Sequence, residues 1–484
     1  MNKSRKNKSF FLLATGILLC ACVYYLFKED VEKVTLILVG MSALIAAPFL
    51  FNHTSNLLLA IVFLTPLSID LTIGDGFKLS APSEIMMLLV VGIVVLKFLG
   101  GLKFEKRIIT HPMSVLILLL IASLVFSTVT SVDPSISIKR TISQSIFYVV
   151  FYFFLIQFLT KKEQLKKVYW LYGIGLIAPI IYTIIDHSQW EFVQPASVYA
   201  SLPFYDEHTI YGACLAFIVP FLVLDITNKK ELKWKVIPKL IFLSLVLIAL
   251  FLSYSRAAWI SVVVAMLFFI FTRLRLRFYH FVGIVLVLFG VIYFNFNSIY
   301  GTLKENSLKY GDNFSTHIVS ITNLQNDASN MERINRWVCA VRMFEEKPIL
   351  GFGPGTYQFN YGNYQTNEFT TRISTHMGDK GNAHSEYFTY LSETGIVGFL
   401  VFLSLLFYSI YLSIKLLYSG LDKSTKLLVY ASILGLITFY IHGLFNSFID
   451  SQKMAILFMS SLAILVRIDL NQGPKKNLVS YSTK

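Results

Sequence analysis

Three short segments carry residue types suited to holding an anion or moving a proton. The first is Ser253-Tyr254-Ser255-Arg256-Ala257-Ala258-Trp259, where Arg256 closes a very tight connection between two apolar runs. A guanidinium fixed there offers a planar fork of donors that matches a phosphate. The plainer reading is an arginine snorkelling to the headgroups, with Trp259 as an interfacial anchor. The second segment is Arg333-Ile334-Asn335-Arg336-Trp337-Val338-Cys339-Ala340. In a helix, Arg333, Arg336, Trp337 and Ala340 share one face, continued by Met343 and Phe344. That face either lies on a membrane surface or carries a second anion-binding arginine. Trp337 would then pack on the cation or on a sugar ring. The third is Asn382-Ala383-His384-Ser385-Glu386-Tyr387, just before a long apolar run. A lone histidine is more often structural, yet imidazole is the group best poised to take a proton near neutral pH. His376 is its rival, and Glu393 reads as a helix-end or hydrogen-bonding residue rather than an acid catalyst.

Other polar features carry less. In Lys347-Pro348-Ile349-Leu350-Gly351-Phe352-Gly353-Pro354-Gly355, the alternating glycines resemble a phosphate cradle, but no Lys-Ser/Thr pair follows. A sharp turn that brings backbone against backbone is the better reading. For Lys139 and Arg140 a lipid-facing role is favoured over a functional one. Cys20, Cys22, Cys214 and Cys339 show no CxxC spacing, so neither a disulfide framework nor a zinc site follows.

The elements that must position these residues are membrane spans. Of 484 residues, 55% are hydrophobic and 14% charged, with a mean hydropathy of +0.63. Charge is too scarce to coat soluble domains of that size, which excludes an ordinary cytosolic enzyme. The net charge of +14 sits in short stretches between apolar runs, which points to orientation rather than nucleic-acid binding. Spans are expected near 10–27, 34–51, 56–73, 82–100, 112–130, 142–159, 168–186, 208–225, 236–253, 257–272, 279–295, 390–417, 427–447 and 454–468. The third is interrupted by Pro66 and Asp70, and the tenth is short. Lys and Arg cluster in alternate loops, such as 161–167 and 229–235, and in the N-terminal stretch. This places both termini in the cytoplasm and the gap from about 295 outside it. The expected organisation is an all-α polytopic membrane protein of about 12–14 spans. It has an N-terminal bundle (1–294), an external lobe (295–385), C-terminal spans (386–468) and a cytoplasmic tail (469–484). The first span reads as an uncleaved anchor.

Taken together, the segments resemble the O-antigen ligase and polymerase superfamily of bacterial membrane glycosyltransferases. The resemblance rests on Ser255-Arg256-Ala257, on Arg333 with Trp337, and on Pro348 with Gly351 and Gly353. It continues through Ala383-His384-Ser385 and Glu393-Thr394-Gly395 with Gly398. It is firm from about Ser253 to Val401; Asp206-Glu207-His208 and the span after it look like a weaker upstream segment. The resemblance implies a GT-C-like, lipid-donor fold in the bacterial inner membrane, with the large loop periplasmic. It implies no nucleotide sugar, no metal and no other cofactor. The donor would be a glycan on undecaprenyl diphosphate, with Arg256 and Arg333 on the diphosphate and His384 as base on the acceptor hydroxyl. Arg336 lies close enough to exchange roles with Arg333. Ser385 stands where Asn is common, Ala257 where Gly is usual, and fourteen spans exceed the family's usual twelve.

The acceptor divides the family: lipid A-core for ligases, another lipid-linked repeat for polymerases, a protein hydroxyl for others. The single late loop with its full arginine-histidine set favours a ligase. A transporter would need charges buried mid-span and repeated span pairs, and the sequence has few of the first and none of the second. A sensor or scaffold would need neither the arginines nor His384.

Overall fold

The structure is a computed structural model that describes residues 53–73, 77–227, 233–275, parts of 279–295, 328–370, 374 and 381–472. The spans expected near 10–27 and 34–51, His376 and the cytoplasmic tail beyond 472 lie outside these residues, as does much of the lobe. Helices dominate. In chain order they are α1 (Thr54–Leu64), α2 (Ser83–Leu99), α3 (Pro112–Val129), α4 (Pro134–Phe158), α5 (Lys162–Ser188) and α6 (His208–Ile226). There follow α7 (Lys233–Leu252), α8 (Arg256–Arg273), α9 (Ala328–Glu346), α10 (Glu386–Tyr418), α11 (Lys423–His442) and α12 (Gln452–Gln472). Among the described residues, eight of these are long and apolar enough to cross a membrane, and the protein is a multi-pass membrane protein. The all-α expectation therefore holds for the bundle.

The span expected at 56–73 is a correction. Its helix stops at Leu64, and a short 3-10 turn at Thr65–Leu67 leads into a hairpin of β1 (Ile69–Ile73) and β2 (Phe77–Ala81). The strands are antiparallel, with Asp70 opposite Ser80 and Leu71 opposite Leu79. Alternating apolar residues across 69–73 raise the hydropathy of a span but have the period of a strand. Another expected start was late. The helix expected from 142 begins at Pro134, because Asp133 caps it by accepting from the amides of Ser135 and Ile136.

Successive long helices run antiparallel, and ion pairs at one end fix the order. Lys162 at the start of α5 pairs with Asp422, just before α11, at 2.9 Å. Asp469 near the end of α12 meets His111, just before α3, at 3.3 Å and Lys415 near the end of α10 at 3.1 Å. Helix α12 lies at the centre, 83% buried over its most apolar window, whereas α8 is 33% buried and presents most of its surface outward. Because the helices alternate, the starts of α6, α8, α10 and α12 gather at the opposite end, with the end of α11 among them. Candidate residues far apart in sequence meet there.

Candidate functional site

The tight connection before Arg256 is built by strain and close approach. Tyr254 adopts φ +50°, a left-handed conformation unusual for a non-glycine residue, and its hydroxyl donates to the Phe192 carbonyl at 2.8 Å. The chain can then turn within three residues from α7 into α8, so Arg256 is the first residue of the new helix. Ser255 packs against Gly212 of α6, where even a Cβ would come within 2.8 Å of the Ser255 Cβ. The Ser255 Oγ lies 3.4 Å from His442 Nε2, at the end of α11.

Helix α9 brings the second arginine to the same corner. Arg333 donates through Nε to the Phe445 carbonyl at 3.3 Å, and it lies within electrostatic reach of both His208 and His442. Thus the turn bearing Arg256 touches His442, and Arg333 lies within electrostatic reach of the same ring. His442 is 1% exposed, and its Nδ1 has no hydrogen-bond partner among the described residues. One turn on from Arg333, Trp337 stacks on Phe388 at 5.4 Å between ring centroids and faces Phe445 at 6.4 Å. Its indole N–H donates to the His384 carbonyl at 3.4 Å. His384 itself sits at φ +47°, and its amide donates to the Asn382 Oδ1 at 2.9 Å. A left-handed non-glycine residue persists where its surroundings over-determine it. Here Asn382 and Trp337 hold the backbone on either side of the imidazole.

Arg336 is used differently. It is 3% exposed, pairs with Glu332 at 3.1 Å, donates to the Asn382 carbonyl at 2.9 Å and lies 5.0 Å from the Tyr361 ring centre. Its bonds run to groups of the lobe itself. The face shared by Arg333 and Arg336 on paper is split by one helical step: one guanidinium reaches the histidine corner, the other ties α9 to the loop before His384. Cys339, on the same helix, is fully buried, and burial pushes its thiol up to about 12, so it is inert.

The glycine-rich segment is a structural clasp. Glu393 of α10 accepts from the amides of Gly355 at 2.8 Å and Tyr357 at 3.1 Å, while its carbonyl accepts from Gly353 at 2.9 Å. Gly395, at φ +61°, breaks α10 so that Ile396 can donate to the Pro348 carbonyl at 2.8 Å. A Cβ at Gly395 would stand 2.4 Å from the Ile349 carbonyl oxygen, so no other residue fits. The reading of this segment as a backbone-to-backbone turn, and of Glu393 as a hydrogen-bonding residue, agrees with this geometry.

Sequence reasoning gave Arg140 too little weight. It pairs with Asp450 and lies within electrostatic reach of Glu386 and Glu393. With Glu207, Asn382 and Asp450 it lines a cavity of about 210 Å3 beside the His384 loop. Glu207 opens on that cavity, but the walls around it displace much of its water, which raises its carboxyl above the usual glutamate value; Thr209 and Arg336 act in the opposite direction. Among the described residues no group of three or more His, Cys, Asp or Glu side chains is arranged to hold a metal ion.

Residues 240–403, from within α7 to within α10, match the family model described as O-antigen ligase. Through this segment, about a third of its length, the chain is similar to the O-antigen ligase family. The match covers the Arg256 turn, Arg333, the glycine clasp and His384. No curated protein matches the chain. Members of this superfamily are glycosyltransferase-like enzymes, ligases or polymerases, that work on lipid-linked glycans.

Proposed function

We propose that the protein transfers a glycan from undecaprenyl diphosphate to an acceptor hydroxyl at the periplasmic face of the inner membrane, with lipid A-core as the favoured acceptor. One observation carries the reading. The turn bearing Arg256 touches His442, Arg333 lies within electrostatic reach of it, and one helical turn on from Arg333 stands the Trp337 that steadies His384. In this reading the two guanidinium groups hold the diphosphate and offset the negative charge that grows on it as the sugar departs. The acceptor oxygen attacks the anomeric carbon, the bond from that carbon to the phosphate oxygen breaks, and its electrons leave with the diphosphate. His384 takes the acceptor proton. In-line attack inverts the anomeric centre. No step calls on a metal or nucleotide.

Orientation is supported by the charge at the other end of the bundle. Lys162, Lys166, Lys239, Lys415 and Arg467 all lie there, as expected of a cytoplasmic face. The test is glycan analysis of a deletion strain complemented with either the wild type or His384→Ala, with lipid-linked and lipopolysaccharide fractions separated. Long chains stranded on undecaprenyl diphosphate, cleared by the wild type and not by the variant, are the expected outcome. Accumulation of single repeat units instead would replace the ligase with a polymerase. Normal fractions in the deletion strain would overturn both and direct attention to glycoproteins.

A further inference from the structure

A second polar space lies next to this site. A cavity of about 310 Å3 is walled by several separate parts of the chain. The hairpin supplies Asp70 and Ser80, the start of α2 Glu84, the stretch before α6 Tyr205 and Asp206, and the start of α12 Lys453. The β1–β2 register sets Asp70 directly opposite Ser80, so the hairpin builds one wall of the cavity. Glu207, Asn382 and Asp450 line both this cavity and the smaller one beside the His384 loop, so the two spaces share a boundary.

Lys453 is the observation that points to a ligand. It is 7% exposed, and its ammonium stands 4.4 Å from the Tyr205 ring centre. Among the described residues no carboxylate or carbonyl lies within hydrogen-bond reach of it; Asp70 and Asp206 act on it only through space. An ammonium brings donors alone, and ionised carboxylates bring acceptors alone. Ser80 already donates to Asp70 and Thr209 to Glu207, and each carboxylate keeps further acceptor positions, so a ligand that suits this cavity must accept from Lys453 and donate to these carboxylates within one small volume. Sugar hydroxyls do both, and the apolar face of a pyranose suits the rings of Phe204 and Tyr205. A phosphate offers mainly acceptors and would face five carboxylates. An amine offers only donors and would face Lys453.

We infer that this cavity is the subsite for the acceptor's saccharide and that it takes a sugar without net charge. The word acceptor rests on the transferase reading; the binding of a neutral sugar does not. The experiment is saturation-transfer NMR on the full-length protein in nanodiscs. The neutral probes are glucose, galactose, N-acetylglucosamine and rhamnose; the anionic probes are glucose 6-phosphate and glucuronate. The wild type should bind at least one neutral probe and neither anionic one. Lys453→Met should weaken that binding roughly tenfold, the loss of a charge-assisted hydrogen bond. Asp206→Asn, nearly isosteric and on the open side of the cavity, should weaken it in the same direction, and it carries the test if Lys453→Met does not fold. Absence of neutral binding, stronger anionic binding, or unchanged binding in the folded variants would overturn the inference. If transfer fails in the wild type but neutral binding persists and falls in the variants, the saccharide site stands and only its acceptor role is lost. If transfer proceeds while the variants bind normally, the cavity assignment alone fails.

Discussion

The two ends of this bundle both bury ionisable groups and treat them in opposite ways. At the lysine-rich end each buried charge has an opposite charge beside it, although Asp225 Oδ1 meets Lys166 only as an ion pair and has no hydrogen bond among the described residues. The Asp225 side chain is fully buried between Lys166 and Lys239, each at 2.5 Å. Arg467 donates to the Ile156 carbonyl and pairs with Glu105 at 3.2 Å. At the other end the matching is incomplete. His442 Nδ1, Asn446 Nδ2, the Glu386 Oε2 and the Tyr205 hydroxyl are buried and have no hydrogen-bond partner among the described residues. Each such group costs about 1–3 kcal/mol relative to a satisfied one. Charge inside a membrane bundle is therefore a poor guide to function by itself. The informative feature is a buried polar group still lacking a partner, because a ligand can supply it.

The sharpest way to break this contrast is at His384. Its replacement by alanine should lower glycan transfer about 10²–10⁴-fold, the usual worth of a general base, while the amount of protein in the membrane stays constant. Full transfer by the variant would remove the base from the proposed chemistry. Next comes a comparison within α9. Arg333→Ala should reduce transfer about 10²–10³-fold, with partial recovery in Arg333→Lys and an unchanged melting temperature. Arg336→Ala should do the reverse, since it strands Glu332 inside the lobe and costs about 3–5 kcal/mol of stability. Thermal melts and transfer assays on the same preparations separate the two. Equal effects on both readouts would mean that the two arginines do not divide their work in this way.

That division marks the limit of what the sequence discloses. Alternating basic loops and apolar runs predict the antiparallel bundle, because burial and charge placement follow directly from residue type. Arg256 and His384 stand out since each interrupts or borders an apolar run. Arg333 and Arg336 look equivalent, as they share a helical face. Only the folded lobe reveals that Asn382 and Tyr361 receive one of them, although Glu332, four residues before Arg336, was a local hint. The hairpin at 69–81 was hidden because its apolar alternation adds to a hydropathy average as a helix would. Arg140 was undervalued because its partner Asp450 lies more than three hundred residues along the chain, beyond any local pattern.

The lysine-rich end offers the control for the contrast. Asp225→Asn should lower stability by about 1–3 kcal/mol, since Lys166 and Lys239 each lose a charged partner but keep some access to water. Transfer per folded molecule should not change. A fall in transfer at constant stability would show that the matched end takes part in function, and the distinction between the ends would then collapse.

The smallest effect is expected at Glu207, on the boundary between the two cavities. Its carboxyl is held above the usual glutamate value, chiefly by loss of water. The folded protein then binds this proton more tightly than the unfolded chain, so stability falls as pH rises from the ordinary glutamate value through the raised one. Below that window the carboxyl is protonated in both states and contributes no slope. Glu207→Gln cannot titrate, so its melting temperature should decline less than that of the wild type between about pH 4 and neutrality. The side chain is open to the cleft, so the difference should be small beside the losses at Arg336 and Asp225. Parallel melting curves across this range would mean that Glu207 is hydrated like any surface carboxylate. The cavity would then be wetter than its walls suggest, and less favourable to a sugar that must replace that water.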